Sequence, residues 1–220
     1  MRINKYVALA TGQARRKVDE LINQGLVKIN NKPALIGQQV NETDTVLVND
    51  VVVTFSTQII IALNKPIDYV CSRDGQGSKT IYDLLPIKYH TLKPAGRLDK
   101  DSSGLILLSN DGNIIQSLTH PRFNKQKQYL VSVEPKLTLE DKLKIENGVL
   151  LTDGLSKLKL KQVKNLWLVT MSEGRNRQIR RTFAKLNYNV TKLHRIKFGK
   201  YKLDNLPTGA HKLLTNYKEN

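Results

Sequence analysis

The sequence predicts an α+β protein in two units: a small N-terminal unit of two short helices followed by β-strands, residues 1–57, and a larger unit built on one mixed sheet, residues 58–220. Three observations predict it. Apolar residues recur at helical spacing twice within the first two dozen positions and then switch to alternation. Beyond residue 58 the texture changes to longer β-rich runs separated by turns and a few helices, a mixture that packs helices against a sheet. The 220 residues are long for one mid-sized domain and comfortable for a small one plus a larger one.

Taken in order, Ile3, Val7 and Ala10 share one helical face, Gly12 interrupts, and Val18, Leu21 and Ile22 resume the period from Gln13 to about Gln24. Gly25 stops the second helix. Val27 and Ile29 alternate into the turn pair Asn30-Asn31, and Val46 and Val48 supply a later strand. The stretch from Asp50 to Gln58 reads as a connector, with the boundary near residue 57. Strands are expected over Ile59–Asn64, Tyr69–Ser72, Gly104–Ser109, Lys127–Val133, Leu155–Val163, Leu166–Met171 and Val190–Phe198. Helices are expected over Thr80–Leu85, Asn113–Thr119, Leu139–Asn147 and Arg177–Leu186. Thr138, followed by Asp141, caps the third of these, and Gly148 stops it.

Charge narrows the partner. Lys and Arg number 36 against 19 Asp and Glu, a formal net of +17, so the chain should seek a polyanion. Residues 1–55 carry seven basic and five acidic side chains, a net of +2, which leaves +15 for the larger unit. From Gly174 to Leu203 there are ten Lys and Arg and no acid, a run that repels itself unless a polyanion neutralises it. No stretch approaches the ~18 uninterrupted apolar residues of a membrane span, so nucleic acid is favoured over a bilayer. One cysteine, Cys71, builds no disulfide framework, and the first residues lack a secretory apolar run; a cytoplasmic protein is expected.

The most informative stretch is Gly96-Arg97-Leu98-Asp99-Lys100-Asp101-Ser102-Ser103-Gly104, directly before the apolar run Leu105–Leu108. Three readings compete. Asp99, Asp101, Ser103 and Gly104 match the opening of a calcium loop, but Asn110 stands where the bidentate Glu belongs and Arg97 would oppose a cation. Alternatively the acids cap a turn and the glycines supply its backbone angles. The third reading makes one aspartate a nucleophile held beside arginines.

Family resemblance decides for the third. Gly96-Arg97-Leu98-Asp99 with Asp101, Ser103 and Gly104 resembles the central motif of the pseudouridine synthases that act on ribosomal RNA. Leu63-Asn64-Lys65-Pro66 and Tyr69-Val70-Cys71-Ser72 resemble that family's first motif, Lys127-Gln128-Tyr129-Leu130-Val131 its tyrosine motif, and Glu173 through Arg181 its arginine motif. The N-terminal unit, with Arg2-Ile3-Asn4-Lys5-Tyr6, Ala14-Arg15-Arg16 and Leu21 through Val27, resembles the small RNA-binding domain first recognised in a small-subunit ribosomal protein. Asp68 and Thr182 depart from the family pattern; they bear on substrate preference, not on reaction class.

The resemblance implies that Asp99 attacks the nucleotide, either at the anomeric carbon or by way of a glycal, and either route needs an ionised carboxylate. Desolvation would protonate it unless an opposite charge lay close. Arg177, Arg180 and Arg181 share one face of the expected last helix, and Arg180 aligns with the family position that pairs with the nucleophile. Tyr129 aligns with the tyrosine whose ring packs on the target base. Arg97 takes the place of the extruded base, since a uridine within a stem must leave its stack to be reached. RNA contacts are expected from Arg15, Arg16 and Lys17 in the first unit and from Arg97, Arg175, Arg177, Arg181, Arg195, Lys197 and Lys200 in the second.

Four dispersed histidines form no metal cluster and no glycine-rich phosphate loop follows a strand, so no cofactor and no metal are expected. His120 and His194 read as structural residues or phosphate contacts. The expected partner is ribosomal RNA or a ribosomal assembly intermediate, large-subunit RNA before small-subunit RNA, bound by a monomer. A noncatalytic assembly protein with the same surfaces is the rival, opposed by the intact Asp99, Tyr129 and Arg180 set.

Overall fold

A computed structural model describes residues 1–41, 43–54 and 58–214 and shows three groups of buried apolar side chains, one in the first unit and two in the second. In the first unit, α1 (Ile3–Thr11) ends at Gly12, whose φ of 74° is left-handed backbone open to glycine, and α2 (Arg15–Asn23) follows. Ile3, Val7, Val18 and Ile22 pack against Val27 and Val46 of the strands behind. These strands are β1 (Val27–Ile29), β2 (Lys32–Pro33), β3 (Val46–Val48) and β4 (Val51–Val52), an antiparallel sheet in the order β2-β1-β3-β4. Asn30 and Asn31, at φ 50° and 64°, make the expected β1–β2 turn. Asn49 and Asp50 repeat the device at φ 50° and 63°, so the connector expected over 50–58 begins instead with a second hairpin and β4. The expected boundary at residue 57 lies outside the described residues.

The second unit comprises β5 (Ile60–Lys65), β6 (Lys93–Ala95), β7 (Ser103–Ser109), α3 (Gly112–Thr119), β8 (Lys127–Glu134), α4 (Leu139–Asn147), β9 (Val149–Leu151), β10 (Gly154–Ser156), β11 (Lys159–Val163), β12 (Leu166–Met171), α5 (Gln178–Ala184), β13 (Asn189–Phe198), β14 (Tyr201–Lys202) and β15 (His211–Leu214). One sheet runs β11-β12-β8-β13-β7-β5-β15, with β14 on β13 and β6 on β7. Its β13–β7 junction is parallel and its other pairings are antiparallel, the mixed sheet expected. Alternate residues of β5 and β7 enter different cores: Ile61, Leu63, Ile106 and Leu108 share one with Ile179 and Phe183 of α5, while Ile60, Ala62, Leu105 and Leu107 share the other with Ile114 and Leu118 of α3. Cover on both faces explains the unbroken apolar run Leu105–Leu108.

Four expectations need correction. Tyr69–Ser72 is not a strand; a single bridge joins Val70 to Thr80, because Asp68 turns the chain at φ 69°. Thr80–Leu85 shortens to a 3-10 helix, Ile81–Leu84, closed by reciprocal Thr80 and Asp83 hydrogen bonds. The strand expected over Leu155–Val163 splits, because β10 turns back on β9 and β11 joins the main sheet. α5 starts at Gln178 because Arg177 sits in left-handed backbone at φ 46°. Strands β6, β9, β14 and β15 are too short to leave a periodic signal. Among the described residues, no helix is long and apolar enough to cross a membrane.

Candidate active site

The loop from Gly96 to Ser102 connects β6 to β7, and neighbouring segments fix its backbone. Leu98 is buried, and its N–H and carbonyl both meet the Cys71 thiol, at 3.4 and 3.3 Å. The Asp68 N–H donates to the Lys100 carbonyl at 2.8 Å, and the Ser102 N–H closes a turn on the Asp99 carbonyl at 3.1 Å. Lys65, fully buried at the end of β5, donates to the carbonyls of Pro66 and Tyr69 at 2.8 and 2.7 Å, which folds the first motif beneath the loop. Burial pushes its ammonium down, and Cys71, Asp101, Asp68 and Asp99 oppose this. Gly104, at φ 105°, begins the close parallel contact with β13; a Cβ there would lie 2.3 Å from the Arg195 carbonyl oxygen.

Two acids of the loop face α5 from different depths. Asp99 Oδ2 lies 3.6 Å from Arg177 Nη1, with about a third of the aspartate side chain exposed. Asp101 accepts from Arg177 Nη1 and Nη2 at 3.1 and 2.9 Å, and Arg180 Nε lies 3.2 Å from its Oδ2. Hydrogen bonding to Arg177 holds the Asp101 carboxyl below its ordinary value, against a smaller desolvation effect and with help from Arg180. Arg180 also donates to the carbonyls of Asp101 and Val190, at 2.8 and 2.6 Å.

The expected pairing of Arg180 with Asp99 is therefore corrected. Arg180 lies in the first turn of the helix and clamps the loop through Asp101, whereas Arg177, at the residue before the helix, is the guanidinium beside Asp99 as well as a partner of Asp101. With Asp101 taken by two arginines, the calcium reading loses its ligand set. Asn110 is engaged too, its Oδ1 accepting from the Ile59 N–H at 2.9 Å. Among the described residues no group of three or more His, Cys, Asp or Glu is gathered for a metal.

Asp99 opens onto a cavity of about 330 Å³ whose walls include Arg97, Ser102, Lys127, Tyr129, Arg177 and Arg195. Tyr129 is 7% exposed on β8, and Arg97 is exposed on the loop. Three of the sequence-derived RNA contacts have other work. Arg175 donates to the Asp153 carboxylate and to the carbonyls of Asp153, Gly154 and Leu155, while Arg181 donates to Asp153 Oδ2 at 2.7 Å. Both lock the β9–β10 turn. Arg195 is 1% exposed and donates to the Leu105 carbonyl at 2.7 Å, so it is no surface phosphate contact.

Lys200 is exposed and Lys197 half-buried near the end of β13. Arg15, Arg16 and Lys17 are exposed on α2, where Arg15 donates to Asn4 and Lys17 pairs with Glu20 at 2.7 Å. His194 meets the Ser103 hydroxyl at 2.8 Å, and burial lowers its pKa; His120 accepts from the Arg122 N–H. The cavity-lining role of Lys127 was missed, although its place two residues before Tyr129 puts both on one face of β8.

A carboxylate beside a guanidinium, at the mouth of a cavity in a chain of net +17, is an arrangement that suits an enzyme acting on a polyanion. Comparison with known proteins gives the class its family. The RNA pseudouridylate synthase family profile matches residues 59–185 and the S4 domain profile residues 1–46. "Ribosomal large subunit pseudouridine synthase B" of Bacillus subtilis is 34% identical, over 99% of this chain and 93% of its own length. "Dual-specificity RNA pseudouridine synthase RluF" of Escherichia coli K12 is 34% identical, over 98% of this chain and 76% of its own. A solved pseudouridylate synthase superposes with a TM-score of 0.70 at 32% identity, covering 98% of this chain and 96% of that one. The chain belongs to the RNA pseudouridylate synthase family and carries an S4 domain at its N-terminal end.

Proposed function

We propose that this enzyme isomerises one uridine of ribosomal RNA to pseudouridine, in the large subunit, with Asp99 as nucleophile. The observation that carries the reading is Asp99 itself: a carboxylate at a cavity mouth, with the Arg177 guanidinium 3.6 Å from its Oδ2. Tyr129 offers its ring as a packing surface for the uracil. Arg97, exposed at the rim, fills the gap left in the RNA by the extruded nucleotide.

Asp99 attacks the ribose at C1′ or draws the sugar through a glycal; the base leaves, turns and rejoins through C5. Arg180 acts on Asp99 at one remove: by holding Asp101 and its carbonyl it fixes the loop on which Asp99 stands. Arg15, Arg16 and Lys17 of the first unit and Lys197 and Lys200 of the second meet RNA phosphates. The large subunit is chosen because the Bacillus subtilis relative, which aligns over nearly its whole length, carries that substrate in its name.

Mapping pseudouridines in ribosomal RNA from cells with and without this gene tests the proposal. It predicts one or a few sites lost from the large-subunit RNA. Loss from small-subunit RNA would move the target, and an unchanged map would remove ribosomal RNA as the substrate.

A further inference from the structure

The floor of the cavity holds two cations that the account so far leaves without a task. Lys127 and Tyr129 alternate on one face of β8, and Arg195 of β13 lies directly across the strand pair from Tyr129. Arg195 is 1% exposed, its Nε donates to the Leu105 carbonyl, and its Nη2 has no hydrogen-bond partner among the described residues. Lys127 Nζ makes one contact to a carbonyl, that of Glu173 at 3.2 Å, and a Cβ on Gly174 would come 3.2 Å from it. The Phe198 ring lies near both charges, 5.2 Å from the ammonium and 5.0 Å from the guanidinium carbon.

Burial, and then Arg195, pushes the Lys127 ammonium below its ordinary value, with Glu173 opposing. Burying two like charges side by side is costly, and an anion between them would relieve the cost. A backbone phosphate, tied to a ribose on either side, is poorly placed to reach a guanidinium 1% exposed in the middle of a sheet. A flat base carried into the cavity on one bond can.

We infer that Lys127 and Arg195 form an anion site for the uracil ring itself, gripping its carbonyl oxygens while the base is detached from the sugar. When N1–C1′ breaks, the electron pair stays on N1 and the base becomes a monoanion with its charge spread to O2 and O4. C1′ is meanwhile captured by the Asp99 carboxylate or relieved by loss of the C2′ proton. The anion turns against Tyr129, and C5 bonds to C1′ as the Asp99 ester bond breaks and frees the carboxylate or, on the glycal route, as C2′ takes back its proton; the C5 proton then leaves to a base and N1 takes up a proton, so no oxidant or reductant is needed. Two fixed cations lining the cavity favour this charged species over the neutral bound uridine, which is differential stabilisation.

The inference rests on the proposed reaction, and its test has an arm that needs no turnover. Binding of 5-nitrouracil, ionised at neutral pH, is compared with binding of neutral uracil. The wild-type protein should prefer the anion about tenfold or more, Lys127→Met and Arg195→Lys should each lose most of that preference, and inorganic phosphate should not displace it. Equal binding of both bases, preference kept in both variants, or displacement by phosphate would overturn the site. In single turnover on the RNA, Lys127→Met should lose about 10²-fold in rate with affinity kept within about threefold, and Lys127→Arg should regain most of it. A loss carried wholly by affinity makes Lys127 a phosphate contact and rejects the inference. Thermal melting confirms that each variant is folded. If the wild-type protein makes no pseudouridine, the reaction assignment fails while the binding comparison still decides the anion site.

Discussion

Asp99 and Asp101 stand two residues apart on one loop and do different work because their surroundings differ. Asp101 is saturated by Arg177 and Arg180 and holds the loop to α5, whereas Asp99 keeps a looser contact with Arg177 and faces the cavity. A carboxyl held below its ordinary value stabilises the fold above the unfolded-state pKa and loses that contribution as pH falls through the folded-state pKa. Asp101→Asn should therefore cost stability at neutral pH, on the order of 1 kcal/mol after solvent screening of a half-exposed pair. The gap from wild type should close as the pH falls below about 4. Urea titrations across that range measure it; a gap that widens in acid would show that Asp101 is not held ionised by its arginines.

At the scale of elements, the arginine motif is a hinge pin between three pieces of backbone. Arg175 and Arg181 tie α5 to the β9–β10 turn, and Arg177 and Arg180 tie it to the Asp99 loop. Arg175→Ala should lower stability by roughly 1 to 2 kcal/mol, since it removes four hydrogen bonds to residues 153–155 at once, one of them partly buried, while leaving the salt dependence of RNA binding unchanged. Lys200→Ala should instead reduce the slope of log affinity against log salt by roughly 0.7 to 0.9. Equal slopes for the Lys200 variant and wild type would take Lys200 off the RNA face.

Longer elements were legible in the sequence. α4 falls on its expected residues because Thr138 and Gly148 mark its ends, β12 falls on Leu166–Met171, and the β5 and β7 runs announce strands buried on both faces. Candidate site residues were legible through motif and resemblance, but the pairing among them was not. Spacing put Arg177, Arg180 and Arg181 on one face, yet the left-handed backbone at Arg177 delays the helix and turns that side chain to the loop. Nor does a sequence tell a basic residue that meets phosphate from one committed to a turn, as Arg175 and Arg181 are, or enclosed between strands, as Arg195 is.

Across the whole molecule, a nearly neutral small unit with its own core sits at the N-terminal end of a strongly basic catalytic one. The cavity, the Asp99 loop and the arginine motif all belong to the second unit. Removing residues 1–57 should weaken selection among RNAs while leaving turnover at high enzyme concentration. A truncated protein that melts cooperatively and yet modifies nothing at any concentration would place part of the chemistry in the first unit.

The account turns on Asp99. Single-turnover formation of pseudouridine by Asp99→Asn, measured alongside RNA affinity, tests it most directly. The amide removes the nucleophile and changes one charge in a surface of net +17, so product formation should vanish while affinity stays within about threefold of wild type. Sustained turnover by Asp99→Asn would contradict the account and pass the nucleophile's role to another group.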